Sequence, residues 1–130
     1  MYKVPSRYVL TSTVLDAESA RIDHLEIKKL QKRKGLTLLV DGWEDVAKRS
    51  LYGTVLAETG KHPVVLGLTD LTGRRASADV VVDVCDESLK KLLLDISQIA
   101  ALCTDNPTVM RKVRTIWETK YSHIIVSYYY

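Results

Sequence analysis

Leu36-Thr37-Leu38-Leu39-Val40-Asp41-Gly42-Trp43 is the stretch whose reading decides the fold. Its first five residues form a nearly continuous apolar run, the pattern of a strand buried on both faces. The run ends at Asp41-Gly42-Trp43. An Asp-Gly pair can form a two-residue hairpin turn. Glu44-Asp45-Val46-Ala47-Lys48-Arg49 does not resume a strand, however, so the reading places a longer loop here.

Working outward from this strand, Leu51 to Ala57 and His62 to Leu68 read as two strands around Thr59-Gly60-Lys61, hence a hairpin. Residues 76–94 carry conflicting signals. Val80, Val82 and Val84 alternate as in a strand, whereas Val81, Val84, Cys85, Ser88, Leu89 and Leu92 recur at helical spacing. Length decides for a helix, against the β-branched propensity. Ile96 to Cys103 reads as a second buried strand, ending at Thr104-Asp105-Asn106-Pro107. Pro107 suits the first turn of a helix over 107–120, with Asn106 as its N-cap. His123 to Val126 is the last strand. Upstream, residues 13–34 read as one helix, with a weak capping signal at Thr13 and Asp16, an extended lead-in at Pro5-Ser6 and a stop at Gly35.

The hairpin strands should pair antiparallel, and each strand reached through a helix should run parallel to its neighbour by right-handed crossover. A mixed five-stranded sheet in the order 3-2-1-4-5 satisfies both rules. The expectation is an α/β fold with an extra N-terminal helix. It forms one domain over residues 1–130, with lead-in and helix in 1–35 and core in 36–130. Both crossover helices fall on one face of the sheet, and helix 13–34 is the candidate to cover the other.

A chain of 130 residues with 46% apolar and 27% charged residues is an ordinary globular composition. No apolar run reaches the ~18–20 residues that span a bilayer, and Met1 to Ser6 lacks the apolar core of a signal peptide, so an intracellular location is expected. The net charge is +3, carried by residues 1–35, where Lys28-Lys29-Leu30-Gln31-Lys32-Arg33-Lys34 concentrates the excess. Such a run can neutralise phosphates; a solvated helix end, where cations oppose the dipole, is the favoured reading. Cys85 and Cys103 lie in apolar stretches as free thiols. His24, His62 and His123 are scattered and make no metal-ligand pair. There is no phosphate loop, nucleophile elbow or dinucleotide fingerprint. Gly67 and Gly73 are assigned to turns, Trp43 and Trp117 to core or rim packing.

In the order 3-2-1-4-5, Asp41 and Asp105 sit just past the carboxyl ends of adjacent central strands, where ligand sites of open α/β sheets gather. Two neighbouring carboxylates repel unless a proton or cation intervenes. Oxygen ligands suit Mg²⁺ or Mn²⁺, the ions that stabilise attacking and leaving oxygens in phosphoryl chemistry. The plainer alternative is that both aspartates merely cap turns and helix starts.

Leu38-Leu39-Val40-Asp41-Gly42-Trp43, Thr104-Asp105-Asn106 and Lys120-Tyr121-Ser122-His123-Ile124-Ile125, together with the lead-in Pro5-Ser6-Arg7 and Leu15, resemble the ribonuclease-H-like core of hAT-superfamily transposases. The resemblance spans almost the whole chain. It implies a retroviral-integrase-like fold that cuts and joins DNA with three acidic residues and Mg²⁺ or Mn²⁺, in the nucleus. Asp41 matches the first acid and Asp105 the second. The family's third acid follows a large helical insertion beyond the last strand, and the chain stops before it. The family's cysteine-histidine motif after that strand and its N-terminal zinc finger are also missing. The expectation is therefore a truncated, transposase-derived piece with weak metal binding and little or no nuclease activity, which retains DNA or partner binding. The alternative is a protein-interaction module with vestigial aspartates, acting through an exposed sheet edge. Self-association through the uncovered sheet face or the Ile124-Ile125-Val126 edge is expected in either case, unless the tyrosine tail at 128–130 folds back over that edge.

Overall fold

A computed structural model of the chain describes residue 1 and residues 4–129. It divides into two compact units, residues 1–32 and 33–130.

The first unit is helical. Ser6 is extended (φ −63°, ψ 159°), and its hydroxyl accepts from the Val9 amide at 3.3 Å. This starts a helix at Arg7, one turn and a half before the Thr13 signal. The helical path runs through α1 (Arg7–Val9), a π-helical stretch (Leu10–Val14) and α2 (Leu15–Leu30). The expected start at residue 13 is therefore too late, and the expected end at 34 too late as well. Lys28 and Lys29 sit in the last turn of α2; Lys32, Arg33 and Lys34 lie beyond it. Gly35, at φ +70°, turns the chain in the left-handed region that glycine tolerates.

The second unit is a five-stranded mixed sheet in the order β3-β2-β1-β4-β5. Its strands are β1 (Leu36–Glu44), β2 (Ser50–Ala57), β3 (Val64–Asp70), β4 (Ile99–Thr104) and β5 (Ile125–Tyr128). β1 pairs antiparallel with β2 and parallel with β4; β2 pairs antiparallel with β3, and β4 parallel with β5. This is the order and sense expected from the spacing of the strands.

β1 departs from its expected end. It does not stop at Val40 but continues through Asp41-Gly42-Trp43 to Glu44, with Asp41 opposite Gly53 and Gly42 opposite Tyr52. Asp41-Gly42 is strand, not loop. The turn comes at 45–49, where the Asp45 carboxylate accepts from the amides of Ala47 and Arg49, both at 2.9 Å. Two missing side chains explain the extension. A Cβ on Gly42 would lie 2.6 Å from Tyr52 Cε1, so the tyrosine ring occupies that space. The Trp43 ring likewise lies against Gly53. Gly67 is also within a strand, β3, and not in a turn; Gly73 does turn, at φ +75°.

Helices α3 (Ala78–Lys91) and α4 (Thr108–Lys120) pack on one face and against each other. Leu36, Leu38, Val40, Leu56 and Leu102 point into this core. They meet Val81, Val84, Cys85 and Leu89 of α3 and Met110, Val113 and Trp117 of α4, all buried. The valines of α3 thus obey the 3.6-residue period against their intrinsic preference, with Ser77 capping the start through the Val80 amide. The capping signal expected at Asn106 is not used: Pro107 is the N-cap of α4 and makes no side-chain cap bond. Cys85 is buried, its thiol pushed up to about 12 by desolvation; Cys103 is half-buried. On the other face, Trp43, Val65, Leu68 and Ile125 are 45%, 73%, 59% and 71% exposed. Among the described residues, no helix is long and apolar enough to cross a membrane.

Candidate two-carboxylate site

The register of β1 and β4 builds the site. Val40 lies opposite Thr104 on the parallel neighbour, so the next residues, Asp41 and Asp105, follow side by side where β4 ends. Asp41 remains in β1, on the face of Leu39 and Trp43, and is exposed. Asp105 is the first residue past β4 and is half-buried; its Oδ1 is buried with no hydrogen-bond partner. Burial first, and the Asp41 charge second, raise the Asp105 carboxyl above the ordinary carboxylate range, while Arg114 and a backbone hydrogen bond oppose the rise. The parallel register thus sets the two aspartates beside each other, but only Asp105 lies past the end of its strand; Asp41, expected there too, is held within β1 by its pairing with β2.

Three further side chains complete the rim. Arg114, from the second turn of α4, is 8% exposed. Its Nη1 donates to Thr104 Oγ1 at 2.6 Å and to the Asp105 carbonyl at 2.8 Å, and its Nη2 to Asn106 Oδ1 at 2.9 Å. The guanidinium carbon stands 5.0 Å from the centroid of the Tyr128 ring, a cation–π distance. Tyr129 continues the path of β5: its amide donates to the Thr104 carbonyl at 3.0 Å. Burial, then the charges of Asp41 and Asp105, hold its phenol above the usual tyrosine range. Tyr52, over Gly42, is raised by burial and by Asp105. A groove of about 470 Å³ opens on the Asp41 face, lined by Leu39, Trp43, Val65, Leu68 and Tyr129.

The donor set suits a hard cation. Asp41 and Asp105 supply oxygens, and the unpartnered Asp105 Oδ1 has an acceptor capacity that no donor of the protein uses. A divalent ion would relieve both the repulsion and the unmet acceptor. Among the described residues, no group of three or more His, Cys, Asp and Glu could hold a metal together, so the remaining positions of such an ion would fall to water or to a ligand.

The sequence over residues 5–130 matches DUF659, a domain of unknown function. The chain belongs to the DUF659 family. No curated protein matches it in sequence. Among solved structures, this DUF659 chain is similar to a Bacteroides thetaiotaomicron protein with an actin-like ATPase fold and unknown function. The identity is 8%, over 83% of this chain and 38% of that one, with a TM-score of 0.46. It is also similar to YeaZ from Pseudomonas aeruginosa, at 12% identity over 71% of this chain and 43% of that one, with a TM-score of 0.47. The DUF659 chain therefore spans about two-fifths of the length of either protein.

Arg114, Tyr129 and Tyr52 were not legible as site residues. For Arg114 a signal existed. Met110, Val113 and Trp117 define the buried stripe of α4, and an arginine within that stripe is a charge placed where charges are rarely found unpaired. The terminal tyrosines read only as an edge. Tyr130 lies outside the described residues; Tyr128 and Tyr129 alternate across the end of β5, one toward Arg114 and one toward Asp41.

Proposed function

We propose that this DUF659 chain is a ribonuclease-H-like domain of transposase descent whose Asp41 and Asp105 hold a divalent cation and present it to nucleic-acid phosphates. The observation that carries the reading is the parallel register of β1 and β4, which sets Asp41, within β1, beside Asp105, the first residue past β4. The sheet order 3-2-1-4-5 supports it, as does membership of a family found in hAT-like transposase-related proteins. The ion would supply electrostatic stabilisation of phosphate oxygens. Asp41 and Asp105 hold it, and the apolar groove beside Asp41 flanks one side of the site.

The test is Mn²⁺ binding by the purified chain, followed through the loss of the free-ion electron paramagnetic resonance signal. Binding is expected to be weak, because two carboxylates fix only part of a coordination sphere, and to vanish in Asp41→Asn and Asp105→Asn. Wild-type affinity retained in both variants would remove the proposal. A supercoiled-plasmid assay with Mg²⁺ or Mn²⁺ is expected to show no nicking by the 130-residue chain, since strand cleavage needs its ligands fixed to a fraction of an ångström.

A second reading is favoured by the exposed Trp43, Val65, Leu68 and Ile125: a protein-interaction module that uses the sheet face or edge, with the aspartates vestigial. Titration with duplex DNA separates the two. Binding that weakens steeply with salt reports phosphate neutralisation and favours the first; no binding at low salt favours the second.

A further inference from the structure

Resting on the cation-site reading above, we propose that Arg114 is the positioning residue of the site: its guanidinium clamps the 104–106 turn and so fixes where Asp105 presents its carboxylate beside Asp41.

Placement makes this possible. Side chains on a helix lean toward its N-terminus, so an arginine in the second turn of α4 reaches back to the point where the chain leaves β4. There it donates to three successive residues, Thr104, Asp105 and Asn106, at 2.6, 2.8 and 2.9 Å. All three acceptors are neutral oxygens of the turn, and the Asp105 carboxylate is not among them; its Oδ1 stays without a protein partner. The clamp therefore grips the backbone and both neighbours of Asp105 without taking up its carboxylate.

Two local rules are broken to achieve it. Asn106 stands where an N-cap is wanted, yet its amide oxygen faces Arg114, and α4 starts from Pro107 without a side-chain cap. A charge is buried where an apolar residue on the Met110–Val113–Trp117 stripe would stabilise the fold at least as well. Departures of this kind concentrate at functional sites. The planar fork suits the task, because a lysine ammonium cannot reach three acceptors in one fixed plane. The same guanidinium underlies the Tyr128 ring, so the clamp also seats the end of β5, from which Tyr129 reaches Asp41.

The experiment uses the full chain with Arg114→Gln, Arg114→Lys and Asn106→Ala. Backbone order parameters from ¹⁵N relaxation are the first readout. At Asp105 and Asn106 they are expected to fall from a rigid value of about 0.85 to below about 0.6 in Arg114→Gln, with Leu38 and Leu102 unchanged. Arg114→Lys should behave in the same way, and Asn106→Ala, which removes one arm of the fork, should show a smaller fall in the same direction. Mn²⁺ affinity is the second readout, and is expected to weaken about tenfold in both Arg114 variants, the loss typical of disturbed ligand support. A lower melting temperature with unchanged order at 105–106 overturns the clamp, as does full rescue of both readouts by lysine. Should Arg114→Gln not fold, Arg114→Lys and Asn106→Ala carry the same test. A wild-type chain that binds no Mn²⁺ removes the cation-site reading, and the order parameters then decide the clamp on their own.

Discussion

Asp105 is a residue whose surroundings work against its charge. Burial and the Asp41 carboxylate raise its carboxyl, with Arg114 only partly offsetting them. The sign of the consequence follows from proton linkage. A carboxyl with a raised folded value binds its proton more tightly in the native than in the unfolded chain, so stability falls as pH rises from the ordinary aspartate value, about 3.9, through the raised one. Asp105→Asn removes that loss. It is expected to raise the melting temperature at pH 7, with the difference closing below about pH 4; calorimetry at both pH values checks it. A variant less stable than wild type at pH 7 would contradict this account of the site. Gly42 is the second residue whose chemistry is set by a neighbour. A methyl there meets the Tyr52 ring at 2.6 Å, so Gly42→Ala is expected to cost about 1–3 kcal/mol by overpacking. In urea denaturation the cost should shrink when combined with Tyr52→Ala, since contacting residues are not additive.

Elements show which local signals survive packing. α3 is a helix built through valines because Val81, Val84, Cys85 and Leu89 form one buried stripe, and burial of that stripe outweighs a few tenths of a kcal/mol of propensity per valine. Ser77 then sets its start through a long 3.5 Å bond, so Ser77→Ala should cost about 0.5 kcal/mol, the low end for a cap, read from the urea midpoint. Trp117, fully buried and edge-on to Tyr121 at 5.2 Å, is the opposite case. Trp117→Ala is expected to cost about 3–5 kcal/mol and to leave little folded protein by circular dichroism. β1 runs past its expected end even though Asp-Gly carries a turn signal and residues 44–49 have no strand pattern. The pairing of Gly42 with Tyr52 and Asp41 with Gly53 is a cross-strand fact that no local signal contains.

Across the whole molecule, the sheet order was legible from strand spacing and connection length alone. Two short links in the first half impose antiparallel neighbours, and two helix-bearing links in the second impose parallel ones. That order is what brings residues 41 and 105, far apart in sequence, to one rim. The apolar residues exposed on the opposite face from α3 and α4 lead to a prediction at this scale. Light scattering at high micromolar concentration should report a species larger than the monomer, and Val65→Lys together with Ile125→Lys, both on edge strands, should return it to the monomer by adding charge to open edges. A wild-type monomer at that concentration would count against self-association.

What the sequence by itself determined was the alternation of elements, the sheet order and the meeting of two aspartates, because hydrophobic period and loop length act locally and topology rules then leave few arrangements. What only the tertiary structure decided was the company those aspartates keep. Arg114 reaches back from α4, Tyr129 arrives from the end of β5 and Tyr52 settles over Gly42. Each of these depends on side-chain direction and cross-strand register, which are fixed by packing and leave no periodic trace in the chain.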